Sequence, residues 1–551
     1  MNVRAARCWG WVTAALVGCG DTVSQPLRDA GGDAGVDSGQ SCQMPRVTGE
    51  TEVLTARGAV RGERVEEALV WRGIPYAAPP VGALRFEAPT DTACWEGVRA
   101  AVGFGAKCPQ INPNTNTLEG QEDCLTLNVW SPATRVAGGA PVMVFVHGGG
   151  NNQGSASDAV AGVPLYDGRG LARRGVVLVT LQYRLGALGF FSHGALDREQ
   201  PSGTSGNQGL RDQIAALRWV QTNIAAFGGD PTRVTLFGES AGGANVCALV
   251  ASPFARGLFH RAIMQSGGCG AAPLSVVRGA AERLLSGTNC ANDPAPMACL
   301  RRQPVEALFR AVPVEVNGLT SPPWTVSVDG DVLSAVPGAL IEAQSHNAVP
   351  FMLGTNRDET YRFVAMPPLT ETAYQTAARS LLAAYGLGAG QINAVLNLYP
   401  SSEFASPHAA LVALTTDFRW TCPARLQART LLGAQREPVY RYFYTRGLDP
   451  TRAPVAARQG AYHGLELFYL FSVLEAGGYR PSEADLRVRD TLQGYWTRFA
   501  ATGDPNGEGA PRWAPYAMSD PYLELNDPAA SAEGLRTARC DALTAIVTAG
   551  P

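Results

Sequence analysis

An α/β fold built on a mostly parallel central sheet flanked by helices is predicted by three features of this chain. Short apolar, β-branched runs recur at Val142–Val146, Val176–Leu181, Val234–Phe237, Val349–Leu353 and Val439–Tyr444, with the near-continuous hydrophobicity of strands buried on both faces. Segments of helical period lie between them; in Leu210–Phe227, Ile214, Leu217, Val220 and Ile224 fall on one face. The third feature is a strand, sharp turn and helix: Val234–Phe237 runs into Gly238-Glu239-Ser240-Ala241-Gly242-Gly243, and a helix-compatible segment follows from Ala244 to Val250. Strands alternating with helices imply a parallel sheet, and such sheets carry their chemistry at the carboxyl ends of the strands.

Length alone suggests roughly three or four domains. From Val53 onward, however, no internal repeat, low-complexity tract or long linker marks a second one. A formal net charge of −3 gives no basic face for nucleic acid. At the N-terminus, Arg4 and Arg7 precede an apolar stretch, Trp9–Val17, too short to span a bilayer, so residues 1–18 read as an export signal. Its end, Leu16-Val17-Gly18-Cys19, resembles a bacterial lipobox, which makes Cys19 the expected lipidation site and the chain an expected cell-envelope lipoprotein. An ordinary signal, with a secreted or periplasmic product, is the alternative. Residues 19–45, rich in Gly, Asp and Ser, are expected to form a flexible tether, and 46–551 the folded domain. The chain has 12 cysteines and no C-x-x-C pair, which together with export points to structural disulfides in an oxidising compartment.

Ser240 is the candidate nucleophile, because a serine between flanking glycines on a strand-to-helix turn holds its Oγ exposed. Upstream, the Val142–Val146 run ends in His147-Gly148-Gly149-Gly150, whose uncovered N–H groups can converge on an anion together with that of Ala241. Serine needs a base and an oriented carboxylate, in the chain order serine, acid, histidine. His260, His346, His408 and His463 follow Ser240. His260 lies close to the elbow, His346 precedes any plausible acid, and His408 sits at a helix start. His463, in a loop after the Val439 strand, is the best-placed base. The acid should follow the Val349–Leu353 run, where Asp358 and Glu359 stand side by side. Spacing does not separate these two.

Taken together, Gly73-Ile74-Pro75-Tyr76-Ala77 with Pro79-Pro80-Val81-Gly82, Glu122-Asp123-Cys124-Leu125, Tyr183-Arg184-Leu185-Gly186, Phe227-Gly228-Gly229-Asp230-Pro231 and Gly238–Gly243 resemble the motifs of the carboxylesterase and cholinesterase family, in its order. This is the type-B branch of the α/β-hydrolase fold, and the resemblance runs from about Thr55 to Cys540. It implies a single large domain and a serine carboxylesterase acting on small-molecule esters without metal or cofactor; the alternatives are a hydrolase of the same fold acting on carbamates, lactones, amides or lipids, and a non-catalytic adhesion or binding module. It assigns Ser240, Glu359 and His463 as the triad and Gly149, Gly150 and Ala241 as oxyanion donors. It also implies disulfides Cys108–Cys124, Cys290–Cys299 and Cys422–Cys540, and gives no precedent for Cys42, Cys94, Cys247 or Cys269.

Three departures from the family pattern matter. Asn151-Asn152 replaces the usual aromatic after the triple glycine, which suggests a more polar pocket wall, and Thr360 follows Glu359 where glycine is usual. The short Cys108–Cys124 loop has no tryptophan. Without that indole the main cation-binding face is missing, so the resemblance implies an esterase that is not a cholinesterase.

Overall fold

The computed structural model describes Cys42 and residues 45–453, 456 and 458–549. The expected signal over 1–18, the lipidation site Cys19 and nearly all of the 19–45 tether lie outside the described residues. Eleven strands form the central sheet. In chain order they are β1 (Glu63–Val65), β2 (Ala68–Pro75), β3 (Thr126–Pro132), β4 (Ala140–Val146), β5 (Val177–Leu181), β6 (Gly229–Glu239), β7 (Arg261–Gln265), β8 (Phe351–Asn356), β9 (Val439–Tyr444), β10 (Pro521–Leu525) and β11 (Ala530–Glu533).

Their spatial order is β1-β2-β3-β5-β4-β6-β7-β8-β9-β10-β11. Every neighbouring pair from β5 through β10 is parallel. Both edges are antiparallel: β1–β2, β2–β3 and β3–β5 on one side, β10–β11 on the other. The parallel centre follows from the continuous apolar runs, because a strand covered on both faces can spend no position on solvent. In β4, Val142, Val144 and Val146 enter one core while Met143 and Phe145 enter the other. Each such fully buried side chain contributes about 1.5–3 kcal/mol.

Five helices matter for the site: α1 (Gln208–Asn223), α2 (Ala241–Ala251), α3 (Pro407–Thr416), α4 (Leu465–Leu470) and α5 (Glu483–Thr502). Helix α1 presents Leu210, Ile214, Leu217 and Val220 to the first core. Helix α5 presents Val488, Leu492, Trp496 and Phe499 to the second. The sheet is thus a middle layer, and residues following the parallel strands gather at one edge of it.

Cys108 is bonded to Cys124, Cys290 to Cys299 and Cys422 to Cys540. The cysteines without family precedent also pair, Cys42 with Cys94 and Cys247 with Cys269. The first of these bonds ties a position inside the expected tether to the folded body. The second joins α2 to the loop after β7, beside the elbow. Five disulfides fit an oxidising compartment. Among the described residues no helix is long and apolar enough to cross a membrane.

Candidate active site

The elbow is a backbone problem before it is a chemical one. Ser240 caps α2 with φ 58° and ψ −123°, a strained conformation for any residue with a Cβ. The chain can fold so sharply only because its flanks are bare. A Cβ at Gly238 would lie 2.6 Å from the Gly242 carbonyl carbon, and one at Gly242 would run into the Val146 carbonyl oxygen. The Ser240 N–H donates to the Gln265 carbonyl at 2.9 Å, tying the elbow to β7.

Glu359 follows β8 in a 3₁₀ turn, Glu359–Arg362, and is fully buried. Its Oε1 accepts from the Asn356 N–H at 2.7 Å and from Ser266 Oγ at 2.6 Å. Its Oε2 accepts from His463 Nδ1 at 2.6 Å. Asp358 faces elsewhere, accepting from the Ala461 N–H at 2.8 Å and from Arg357 at 2.9 Å. Of the two adjacent acids, the turn thus brings Glu359 and not Asp358 to His463. Thr360 occupies the usual glycine position without disturbing it, because its hydroxyl is buried against α3, 2.6 Å from Thr415 Oγ1.

The other three histidines that follow Ser240 have ordinary surroundings. His260 Nδ1 accepts from the Val234 N–H, His346 Nε2 meets Gln435, and His408 packs on Tyr361 at the start of α3. The N–H groups of Gly149, Gly150 and Ala241 have no hydrogen-bond partner among the described residues. All three residues, with Ser240 and His463, line one pocket of about 310 Å³. The polar wall suggested by Asn151-Asn152 is spent mostly on scaffolding. Asn151 exchanges hydrogen bonds with Asn245 at 2.9 and 3.2 Å, and Asn152 donates to the Trp324 carbonyl at 2.8 Å.

His463 Nε2 lies 3.1 Å from Glu239 Oε1, and Ser240 Oγ is not among its hydrogen-bond partners. That contact is an ion pair without hydrogen-bond alignment, and Glu239 Oε1, which is buried, has no other polar partner among the described residues. A further buried acid, Glu466 on α4, accepts from Gln265 at 3.1 Å and Asn356 at 2.5 Å. Burial alone would lower His463, but the carboxylates of Glu239 and Glu359 outweigh it and raise the imidazole to about 9. Burial, reinforced by neighbouring carboxylates, pushes both Glu239 and Glu466 upward.

These shifts set a pH dependence. A general base works only when unprotonated, so kcat/KM is expected to climb with pH through neutrality toward about 9. Glu239→Gln removes the first of the raising carboxylates and should move the acidic limb to lower pH; a limb that stays put would deny Glu239 this role. For stability the direction is opposite. The raised imidazole contributes fully below its ordinary 6.5, and that contribution is lost as pH rises through about 9.

Ser266, Glu466 and Arg419 are site residues that motif spacing does not single out. Ser266 had a usable signal, being the polar residue directly after the apolar strand β7. Glu466 and Arg419 had none.

A mostly parallel sheet flanked by helices, with Ser240 on a sharp turn after β6, Glu359 after β8 and His463 beyond β9, has the layout of an α/β-hydrolase. The chain belongs to the carboxylesterase family, whose model matches residues 49–543. It is similar to the fumonisin B1 esterase of Sphingopyxis macrogoltabida, 34% identical over 87% of each chain. It is also similar to the medium-chain fatty acyl-CoA hydrolase precursor of Anas platyrhynchos, 34% identical over 92% of this chain and 93% of that one. Human carboxylesterase 3 is 35% identical over 87% of each. Among solved structures, a PNB esterase superposes with a TM-score of 0.76 at 31% identity, covering 90% of this chain and 99% of its own. The protein is a carboxylic-ester hydrolase.

Proposed function

We propose that Ser240, His463 and Glu359 hydrolyse carboxylic esters by two-step acyl transfer. Ser240 Oγ attacks the ester carbonyl while His463 Nε2 takes its proton. The imidazolium so formed returns that proton to the departing alcohol, and Glu359 holds the ring in place. Water, activated by the same imidazole, then cleaves the acyl-enzyme. Negative charge on the carbonyl oxygen is met by the Gly149, Gly150 and Ala241 amides, each worth on the order of 3 kcal/mol.

The observation that carries this reading is the 2.6 Å bond from His463 to the buried Glu359 carboxylate, in a pocket that Ser240 and three unpartnered amides also line. Proton transfer requires Nε2 to exchange its Glu239 neighbour for Oγ of the adjacent residue. Glu239, Ser240 and His463 all line the same pocket, so the exchange takes place within it. Para-nitrophenyl ester turnover should be abolished by one equivalent of an organophosphonate reactive toward activated serines. Full activity after stoichiometric labelling would contradict the mechanism.

A further inference from the structure

Arg419 lines the catalytic pocket, yet ester hydrolysis as set out above leaves it unused. It stands in a π-helical turn, Asp417–Thr421, inserted between α3 and a helix beginning at Cys422. Such insertions redirect successive side chains. Here Asp417 is buried against Tyr399, at 2.9 Å, and against Arg536. Trp420 donates to the Ser266 carbonyl at 3.1 Å and places its ring 5.5 Å from that of His463.

Between these two, Arg419 extends its guanidinium to 5.7 Å from the Trp420 ring, so that one indole separates it from the catalytic imidazole. Apart from His463 it is the only cationic side chain among the residues lining the pocket. It has no acidic partner among the described residues, and its Nε is buried without a hydrogen bond. Arginines on the following helix differ in this respect: Arg425 pairs with Asp520 and Asp541, and Arg429 reaches Asp541.

The surroundings offer no substitute anion. Glu239, the acid in the same lining, is turned to His463 at 3.1 Å. Arg419 also lines a second cavity of about 400 Å³, which shares Gly267, Gly268 and Gly270 with the first and continues past Met264, Tyr385 and Leu426. Its one carboxylate, Glu342, is exposed and makes no ion pair with Arg419. The guanidinium of a half-buried arginine that lines two neighbouring cavities is a donor fork without an acceptor. A carboxylate fits that fork in charge and in geometry.

We propose that Arg419 binds a free carboxylate on the acyl portion of the substrate, which makes monoesters of dicarboxylic acids the preferred class. This rests on the Ser240 mechanism, since the acyl group bonded to Ser240 must be housed in the pocket that Ser240 and Arg419 share. The alcohol departs and need not be. One guanidinium neutralises one carboxylate, whereas a phosphate dianion would leave excess charge beside Glu239.

The test compares para-nitrophenyl hydrogen adipate with its neutral isostere, para-nitrophenyl adipamate, on the full chain. The wild-type protein should favour the charged ester by about tenfold or more in kcat/KM, mainly through KM. Arg419→Gln should bring the ratio of the two close to one, and Arg419→Lys should leave an intermediate ratio. A wild-type ratio of one or below, or a ratio that Arg419→Gln leaves intact, overturns the proposal. Because the wild-type comparison stands alone, it decides the matter even if a variant fails to fold. Hydrolysis of the adipamate without preference removes only the role of Arg419. Failure to hydrolyse either ester overturns this proposal, while the Ser240 reading stands or falls with organophosphonate labelling.

Discussion

Replacing Ser240 by alanine is expected to lower kcat for a para-nitrophenyl ester by about 10⁴- to 10⁶-fold while the protein remains folded. The strain at this position, φ 58° with ψ −123°, belongs to any residue with a Cβ, so alanine inherits it unchanged. The Gly238 and Gly242 approaches are also untouched. What disappears is one hydroxyl. The amides of Gly149, Gly150 and Ala241 persist, and with them a residual acceleration over water. Thermal unfolding within a few degrees of wild type, measured beside turnover, would confirm that the loss is chemical. Substantial turnover by a folded Ser240→Ala protein would remove this residue from the mechanism.

Glu359→Gln should cost about 10³- to 10⁴-fold in kcat, far more than the loss of one charge on the surface would. The reason lies in the three donors that converge on this carboxylate. The Asn356 N–H and Ser266 Oγ both donate to Oε1, at 2.7 and 2.6 Å. A glutamine must keep its oxygen on that side, which turns its NH₂ toward His463 Nδ1. An amide donor there forces the proton onto Nε2, leaving the ring without a lone pair for the Ser240 hydroxyl. Asp358→Asn is the matched control, because Asp358 serves the Ala461 N–H and Arg357 instead. It should change kcat by no more than a few-fold. Near-normal activity in Glu359→Gln, or a larger loss in Asp358→Asn, would show that the acid has been misassigned.

Much of this architecture is legible in the residues because it is local. The run Val439–Tyr444 is a strand as it stands, since six consecutive buried positions leave no ambiguity of face. Val142–Val146 extends only to Ala140. The elbow is legible for a stronger reason: two glycines are needed where backbones nearly touch, and that need is written directly in residue type. His463 follows by exclusion of its rivals.

What is not legible depends on contacts across long separations. Asp358 and Glu359 differ in surroundings because a 3₁₀ turn points one toward His463, and spacing carries no record of that direction. The antiparallel edges of the sheet are built partly from strands too short or too mixed in polarity to stand out, such as Glu63–Val65 and Ala530–Glu533. The pairs Cys42–Cys94 and Cys247–Cys269 require knowing which loops meet. Glu466 reaches Gln265 and Asn356 only because of where α4 carries it, and Arg419 reaches the pocket from a π turn that the sequence does not announce.

The central claim is that one activated hydroxyl, on Ser240, becomes covalently linked to substrate. Peptide mapping by mass spectrometry after reaction with the organophosphonate tests this most directly. A single adduct on Ser240, absent from Ser240→Ala and formed in parallel with loss of turnover, is the expected result. An adduct on any other residue that abolishes activity, with Ser240 left unmodified, would contradict the account.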